Sequence, residues 1–212
     1  MRLYGYFRSS AAYRVRIALN LKGIAAEHVS VHLAKGEQFA PHFMAVNPQK
    51  VVPVLEDGDT RLVQSLAILE YLDETHPEPL LLPRDPAGRA RVRALAQIVA
   101  CEIHPLNNLR VLNYLTGPMG LDENAKLTWY RHWIAEGMQA IEALLAGGAA
   151  TGRYCHGDAP GLADVCLVPQ VFNARRFDCP LDAYPTILRI DAECQGVPAF
   201  RDAAPGRQPD AE

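Results

Sequence analysis

Short apolar runs separated by turn-forming residues occupy the first 75 residues of the chain. Leu3–Phe7 is rich in aromatic residues and His28–Leu33 alternates apolar and polar positions, and both patterns are typical of strands. The apolar spacing of Ala11–Lys22 predicts a helix that Ser9 or Ser10 would cap. The remaining elements predicted here are a helix over Lys35–Val46, strands over Val51–Leu55 and Arg61–Val63, and a helix capped by Ser65 and running to Glu74. This order predicts a mixed four-stranded sheet with helices on its faces.

Longer helical patterns follow a segment, residues 76–86, that holds four prolines in eleven residues. Proline lacks an N–H group and restricts the residue before it, so this segment is predicted to link two domains, residues 1–80 and 88–212. The second domain is predicted to be all-helical, with helices over Ala87–Tyr114 (bent near His104-Pro105), from Asp122 as a cap to the glycines at 147–148, over Leu162–Ala174, over Thr186–Glu193 and over Pro198–Ala203. Residues 204–212 are expected to form a loose polar tail.

Composition and charge narrow the class of protein. The chain is 49% hydrophobic and 21% charged, and its net charge of −3 gives no basic footprint for binding nucleic acid. No apolar run approaches the roughly 18–20 residues that span a bilayer. The first residues also lack the apolar core of a signal peptide, so a cytoplasmic protein is expected. Its five cysteines, an odd number at wide spacings, predict reduced thiols and neither a disulfide scaffold nor a metal site.

Two serines at the predicted start of the first helix are the strongest candidate for chemistry. The N-terminus of a helix carries free N–H groups and a partial positive charge of about half an electron, which stabilises a phosphate or a thiolate. The hydroxyl of Ser9 or Ser10 can add a hydrogen bond to such an anion. Taken alone, the same residues also fit ordinary helix capping.

Three weaker signals accompany the serines. Gln64-Ser65 begins another predicted helix and would make a second anion site, although it also fits an ordinary cap. Val52-Pro53 precedes a strand, and a cis peptide bond there would turn the backbone of Val52 outward, toward an extended peptide. His104 and Asn108 are four residues apart, which places them on one face of the predicted long helix.

Together these signals resemble the zeta class of the glutathione transferase superfamily, which includes the maleylacetoacetate and maleylpyruvate isomerases. The resemblance covers nearly the whole chain. It is carried by Ser9–Leu19 (SSAAYRVRIAL), Asn47-Pro48, Val52-Pro53, Gln64–Leu72 (QSLAILEYL), Ile103–Leu112 (IHPLNNLRVL), Leu162–Gln170 (LADVCLVPQ), Asn173–Phe177 (NARRF) and Gln208–Asp210. It implies a thioredoxin-like first domain, a helical second domain and a cytoplasmic homodimer.

The resemblance also implies glutathione as the cofactor and a small dicarboxylate as the substrate. No metal site is expected, and the charge and hydropathy of the chain argue against nucleic acid and membrane as partners. The implied glutathione contacts are Ser9, Ser10, Ala11, Gln38, Val52, Gln64, Ser65, His104 and Asn108. The implied catalytic residues are Ser9, Ser10, Arg8, Arg110 and Arg176. The planar guanidinium of arginine binds both oxygens of a carboxylate, so these three arginines are expected to hold the substrate.

Two positions depart from the class pattern. The cysteine of the first motif is replaced by Ala11, so a protein thiol there cannot be the nucleophile. The serine or threonine that usually begins the later helix is replaced by Gly161, which has no side chain to cap it, and some loss of folding robustness is expected.

The reaction that the resemblance implies is cis–trans isomerisation of a maleyl diacid to its fumaryl isomer. A thiolate adds to the double bond, the resulting single bond rotates, and the thiolate leaves. The helix N-terminus and the serines would lower the pKa of the thiol, which is about 8.5 in free form. Two alternatives remain: a transferase acting on haloacids or other small electrophiles, and a non-catalytic glutathione-binding module. The sequence also leaves maleylacetoacetate and maleylpyruvate undistinguished.

Overall fold

The computed structural model describes all residues from Met1 to Glu212. In chain order the elements are β1 (Arg2–Gly5), α1 (Ser10–Leu21), β2 (Glu27–Ser30), α2 (Pro41–Val46), β3 (Val54–Asp57), β4 (Thr60–Val63), α3 (Ser65–Thr75), α4 (Pro86–Gln97), α5 (Leu109–Thr116), α6 (Glu123–Ala146), α7 (Leu162–Arg176), α8 (Pro185–Gln195) and α9 (Pro198–Asp202). A π-helix covers Ile98–Ile103, and 3-10 turns cover Leu33–Lys35, Glu37–Phe39 and Pro205–Arg207. None of the helices combines the length and apolar character needed to cross a bilayer.

The chain divides into two compact units, Met1–Leu81 with Gln195–Glu212, and Leu82–Cys194. The first unit contains the sheet and the second is helical, so the predicted fold class of a mixed four-stranded sheet with an all-helical part is confirmed. Residues 195–212, which the sequence placed with the helical domain, pack with the first unit.

The sheet of the first unit has the strand order β2-β1-β3-β4. β1 is parallel to β2 and antiparallel to β3, with Leu3 opposite Leu55, and β3 is antiparallel to β4. β2 therefore lies at an edge, where its side chains are mostly exposed. The strand predicted over residues 28–33 is confirmed as far as Ser30, where β2 ends, and the predicted inward positions Val29 and Val31 are partly buried and buried, respectively.

The helix predicted over residues 35–46 is interrupted. Gly36 has a left-handed backbone (φ +78°), which ends one 3-10 turn and begins another, and the helix α2 starts only at Pro41. A residue with positive φ cannot continue a right-handed helix. Gly36 therefore divides a segment for which the sequence pattern predicted one helix.

The C-terminal residues are bound to the first unit, so the expectation of a loose tail is wrong. Oδ2 of Asp210 accepts hydrogen bonds from the backbone N–H of Phe7 and from the hydroxyl of Ser30, each at 3.1 Å. Oε1 of Glu212 lies 2.9 Å from Nε2 of His32. Hydrogen bonds to carboxylates order this polar tail. The sequence prediction missed them because it relied on the spacing of apolar residues.

In the helical unit, the single long helix predicted over residues 87–114 is wrong. It is α4, the π-helix, a turn, and then α5, which begins after Asn108. Pro105 lacks the N–H that a continuous helix needs, and the side chain of Asn108 caps the new helix by accepting the N–H of Arg110 at 3.1 Å. The predicted cap of the next helix is confirmed, because Asp122 accepts the N–H of Ala125 at 2.8 Å.

Two further contacts organise this unit. At the start of α7, the carboxylate of Asp164 accepts the backbone N–H of Gly161 at 2.8 Å and that of Cys155 at 2.9 Å. The Asp164 half of the usual reciprocal capping arrangement is therefore present, although Gly161 has no side chain to supply the other half. Gly137 of α6 faces Ile103 so closely that a Cβ at residue 137 would lie 2.2 Å from Cγ1 of Ile103. Glycine is required there by close packing.

Candidate active site

Four chain segments of the first unit meet at one end of the sheet. Because β1 is parallel to β2 and antiparallel to β3, which is antiparallel to β4, the ends of β1, β2 and β4 lie beside the start of β3. Phe7, Val31 and Val52, which belong to three of these segments, pack in one buried hydrophobic cluster. Helices α1 and α3 both begin at this end, so two helix N-termini face the same region.

The start of α1 is capped by Ser9. Its backbone is extended, and its Oγ accepts the N–H of Ala12 at 3.2 Å. Ser10 is the first helical residue and is buried, and Ala11 is partly buried. No acidic side chain lies in the first turn, so the positive end of the helix is not neutralised by the helix itself. The N-terminus of α1 therefore keeps its partial positive charge.

The start of α3 differs from the sequence prediction, because Ser65 is the first helical residue and Gln64 occupies the cap position. Gln64 has φ +70°, a conformation that costs a non-glycine residue of order 1–3 kcal/mol and that clusters at ligand sites. Its Nε2 donates to Oε1 of Gln49 at 3.0 Å. Ser65 is therefore not the capping residue. Its hydroxyl instead accepts a hydrogen bond from Nη1 of Arg14 at 3.1 Å.

The segment before β3 is held by Asn47. Its Nδ2 donates to the carbonyl of Val51 at 2.7 Å, and its Oδ1 accepts the N–H of Gln49 at 3.0 Å. The Val52-Pro53 peptide bond is cis, and Val52 is buried. The side chain of Asn47 thus fixes the loop that presents the backbone of Val52.

Gln38 is 7% exposed, and its Oε1 atom is buried without a hydrogen-bond partner. A buried amide oxygen without a partner is rare in folded proteins and is costly unless a ligand satisfies it. Gln38 is one of the residues that the family resemblance assigned to glutathione, and its amide oxygen has an unused capacity to accept a hydrogen bond.

Arg8 lies at the end of the first segment, two residues before α1. Its Nη2 and Nε atoms donate to the hydroxyl of Tyr6 at 2.6 and 3.1 Å, and its guanidinium lies 5.0 Å from the ring centre of Phe7. The side chain is partly exposed, so it retains donors that face solvent. Arg8 is thereby an ordered cation next to the capping serine.

The other four predicted site residues belong to the helical unit. His104 ends the π-helix and Asn108 caps α5, so the expectation that they share one helix face is wrong, because the helix is broken between them. Arg110 is exposed in the first turn of α5. Arg176 is the last residue of α7, and its exposed guanidinium lies 5.0 Å from the ring centre of Phe177, which stacks on Tyr130.

Sequence reasoning missed Arg14, Asn47 and Tyr6 as supports of the site. Arg14 is 2% exposed and lies among the apolar positions of α1, which is the signal that could have identified it. An arginine on the core face of a helix needs a buried acceptor, since burying a charge without one is costly. Asn47 carries no comparable signal, because its partners are backbone atoms of Gln49 and Val51. Tyr6 carries none either, because nothing in a strand pattern shows that its hydroxyl accepts from Arg8, two residues away.

Residues 1–74 match the family model of the glutathione S-transferase N-terminal domain. Over 211 residues the chain is 54% identical to a probable maleylacetoacetate isomerase of Vibrio cholerae, covering 99% of this chain and 97% of that protein. It is 53% identical to a maleylpyruvate isomerase of a Ralstonia species, covering 100% of both.

A solved structure extends the likeness to three dimensions. The maleylacetoacetate isomerase of Anaeromyxobacter dehalogenans, with dicarboxyethyl glutathione and citrate bound in its active site, is 49% identical and superposes with a TM-score of 0.88 over 100% of this chain and 93% of that one. The chain belongs to the zeta class of glutathione transferases, in the family of the maleylacetoacetate and maleylpyruvate isomerases.

Proposed function

We propose that this protein is a glutathione-dependent cis–trans isomerase that converts maleylacetoacetate or maleylpyruvate to the fumaryl product. The observation that carries the proposal is the charge of the α1 N-terminus, where Ser9 caps a helix with no acidic residue in its first turn. Full-length relatives at 53–54% identity are named as isomerases of these two diacids.

Glutathione, when bound, supplies a thiolate that adds reversibly to the cis double bond and lets it rotate. The N-terminus of α1 stabilises that negative charge, and the hydroxyl of Ser9 or Ser10 donates a hydrogen bond to the sulfur. Gln38 accepts a peptide N–H, and Ser65 with the N-terminus of α3 receives a carboxylate. No protein cysteine takes part, since Ala11 stands at the motif's cysteine position.

Arg8, Arg110 and Arg176 bind the substrate carboxylates and stabilise the negative charge that develops on its oxygens as the sulfur adds. Charge-assisted contacts of this kind are stronger than neutral hydrogen bonds, and the forked guanidinium fixes the orientation of a carboxylate. A related isomerase that binds dicarboxyethyl glutathione, a glutathione bearing two added carboxyl groups, supports a dicarboxylate as the reaction partner of the thiol.

The protein acts in the cytoplasm as a homodimer. Five free cysteines fit a reducing compartment. Four large apolar side chains are exposed close together in sequence in the helical unit, which fits a surface covered by a second subunit; they are Leu109, Tyr114, Met119 and Leu121. Light scattering of the purified protein tests this, and a monomeric mass would contradict it.

The test of activity offers each diacid in turn, with and without glutathione, and follows the fumaryl product with a hydrolase specific for it. We expect turnover only with glutathione, and the better substrate identifies the reaction. Arg176→Ala should lower kcat/KM by roughly 10²-fold, the scale of one lost charge-stabilising contact, whereas Arg207→Ala, at an exposed arginine of the first unit, should not.

Failure has a distinct signature. A protein that binds glutathione but turns over neither diacid would overturn the proposed isomerase. Turnover of haloacids would then identify a transferase, and binding without any turnover would identify a non-catalytic module.

A further inference from the structure

The C-terminal tail reaches the backbone of the loop that leads into α1. The N–H of Phe7 donates to Oδ2 of Asp210 at 3.1 Å, and the carbonyl of Phe7 accepts Nη2 of Arg16 at 3.0 Å. Both backbone groups of one residue are therefore held by charged side chains. Phe7 directly precedes Arg8 and the capping residue Ser9.

Arg16 connects the same loop to the C-terminal segment. Its Nε donates to the carbonyl of Ala203 at 2.9 Å, and the side chain is nearly fully buried. Burial lowers the pKa of Arg16 to about 10, and electrostatic interactions with Tyr13 and, less strongly, with Asp210 oppose that shift. The guanidinium remains charged at neutral pH, so the arginine and the tail carboxylate attract each other on either side of Phe7.

Asp210 is itself fixed in place. The hydroxyl of Ser30, at the end of β2, donates to the same Oδ2 atom at 3.1 Å. The tail carboxylate thereby ties the end of β2 to the turn after β1, two segments that both border the candidate site. Hydrogen bonds to a charged acceptor are stronger than neutral ones, so this contact restricts where Phe7 can lie.

We infer that Asp210 and Arg16 are positioning residues for the thiol site, because together they fix the Phe7 peptide groups and hence the direction of Arg8 and Ser9. Neither residue is among those that we assign to glutathione or the substrate. Their effect is on the placement of the charge that lowers the pKa of the thiol, and small displacements at a helix N-terminus weaken that effect since it falls off within the first turn. The inference rests on the proposed function.

The experiment compares Asp210→Ala with Asp210→Asn and with Glu212→Gln in the full-length protein. Asparagine retains an oxygen that can accept from Phe7 and Ser30, so it is the conservative variant. Glu212 is the matched control, because it binds the tail to His32 and Lys35 without touching Phe7. The readouts are the pH profile of kcat/KM with the better diacid and the pKa of bound glutathione, followed by the ultraviolet absorbance of the thiolate.

For Asp210→Ala we expect the thiol pKa to rise by about one unit, so that activity falls roughly tenfold at pH values well below both the old and the new pKa and recovers as the pH rises above the new pKa. Asp210→Asn should restore most of the wild-type profile, and Glu212→Gln should match the wild type. A purely structural role would lower activity equally at every pH by reducing the folded fraction, and that result would overturn the inference.

The two proposals fail differently. If the wild-type protein neither binds glutathione nor turns over a diacid, the proposed function fails. If the wild type is active and Asp210→Ala has the wild-type pH profile, or if Glu212→Gln shifts the profile as much as Asp210→Ala does, the positioning role of Asp210 is wrong while the isomerase stands. Ser30→Ala, which removes only the second donor to Asp210, gives an independent reading if Asp210→Ala folds poorly.

Discussion

Arg14 and Ser65 connect the starts of two helices that face the candidate site. Nη1 of Arg14, in α1, lies 3.1 Å from Oγ of Ser65, the first residue of α3, and the two residues are 2% and 7% exposed. A buried charge-assisted hydrogen bond of this kind sets the position of the serine hydroxyl. The side chain that would receive the glutathione carboxylate is therefore oriented by a residue outside the site.

We expect Ser65→Ala to weaken glutathione binding roughly tenfold and to lower the free energy of unfolding by about 1–3 kcal/mol, because Arg14 loses a buried acceptor. Calorimetric titration with glutathione and urea denaturation measure the two effects. Ser65→Thr keeps the hydroxyl and should retain most of both. An unchanged dissociation constant in Ser65→Ala would contradict a role for this residue in the site.

Comparing Ser9→Ala with Ser10→Ala tests which serine donates a hydrogen bond to the sulfur of glutathione. Loss of the cap should cost about 1 kcal/mol of stability, and loss of the hydroxyl should raise the pKa of bound glutathione. Ser9→Thr preserves both functions and is the control. If Ser10→Ala shifts the pH profile and Ser9→Ala does not, the buried serine, and not the cap, donates to the sulfur.

The close approach of Gly137 and Ile103 predicts a cost for adding one methyl group. Alanine at residue 137 gains helix propensity but collides with Ile103, and overpacking of this kind typically costs about 1–3 kcal/mol. We expect Gly137→Ala to lower the midpoint of thermal unfolding. Gly206→Ala, where a new Cβ has no atom within 4 Å, is the control. Adding Ile103→Val to Gly137→Ala should recover part of the loss.

Thiol labelling should modify one cysteine per native chain. Cys101 is exposed and the other four cysteines are buried. Burial raises the pKa of the thiols of Cys155, Cys179 and Cys194, so little of the reactive thiolate is present there. Cys101→Ser should abolish rapid labelling of the folded protein, while all five thiols of the wild type react in denaturant. Rapid labelling of several thiols in the native state would show that the packed interior opens readily.

The tip of the tail should detach in acid. Hydrogen bonds from His32 and Lys35 lower the pKa of Glu212, so the contact contributes stability above the unfolded pKa of this carboxyl and loses it as the pH falls through the lowered folded value. Hydrogen exchange at residues 208–212 should therefore be faster below the folded pKa than the intrinsic pH dependence of exchange explains. The Glu212→Gln variant should lack this transition.

The sequence predicted correctly those features of the fold that depend on interactions between residues close together in the chain. Ser9 and Asp122 cap their helices as expected, because a cap satisfies N–H groups only two or three residues away. The break between His104 and Asn108 was not predicted, because apolar spacing continues across it and a proline only suggested a bend. Periodicity records which face is buried and not whether the backbone is continuous.

Some residues of the candidate site could likewise be predicted from the sequence and others could not. The motif residues at the helix starts could be found from sequence, whereas their supports could not. Arg14 is joined to Ser65 by a contact across 51 residues, and Phe7 is joined to Asp210 across 203. Contacts over such separations depend on how the sheet and the C-terminal segment pack, which one sequence read locally does not contain.

The bond between Phe7 and Asp210 also has a consequence for how the protein is made. Domains fold as units while the ribosome adds residues from the N-terminus. The helical unit is complete once Cys194 has emerged, but the loop before α1 waits for Asp210. A nascent chain stalled between these residues carries both serines without the carboxylate that binds Phe7. A fully lowered thiol pKa in bound glutathione would therefore report that translation has passed residue 210.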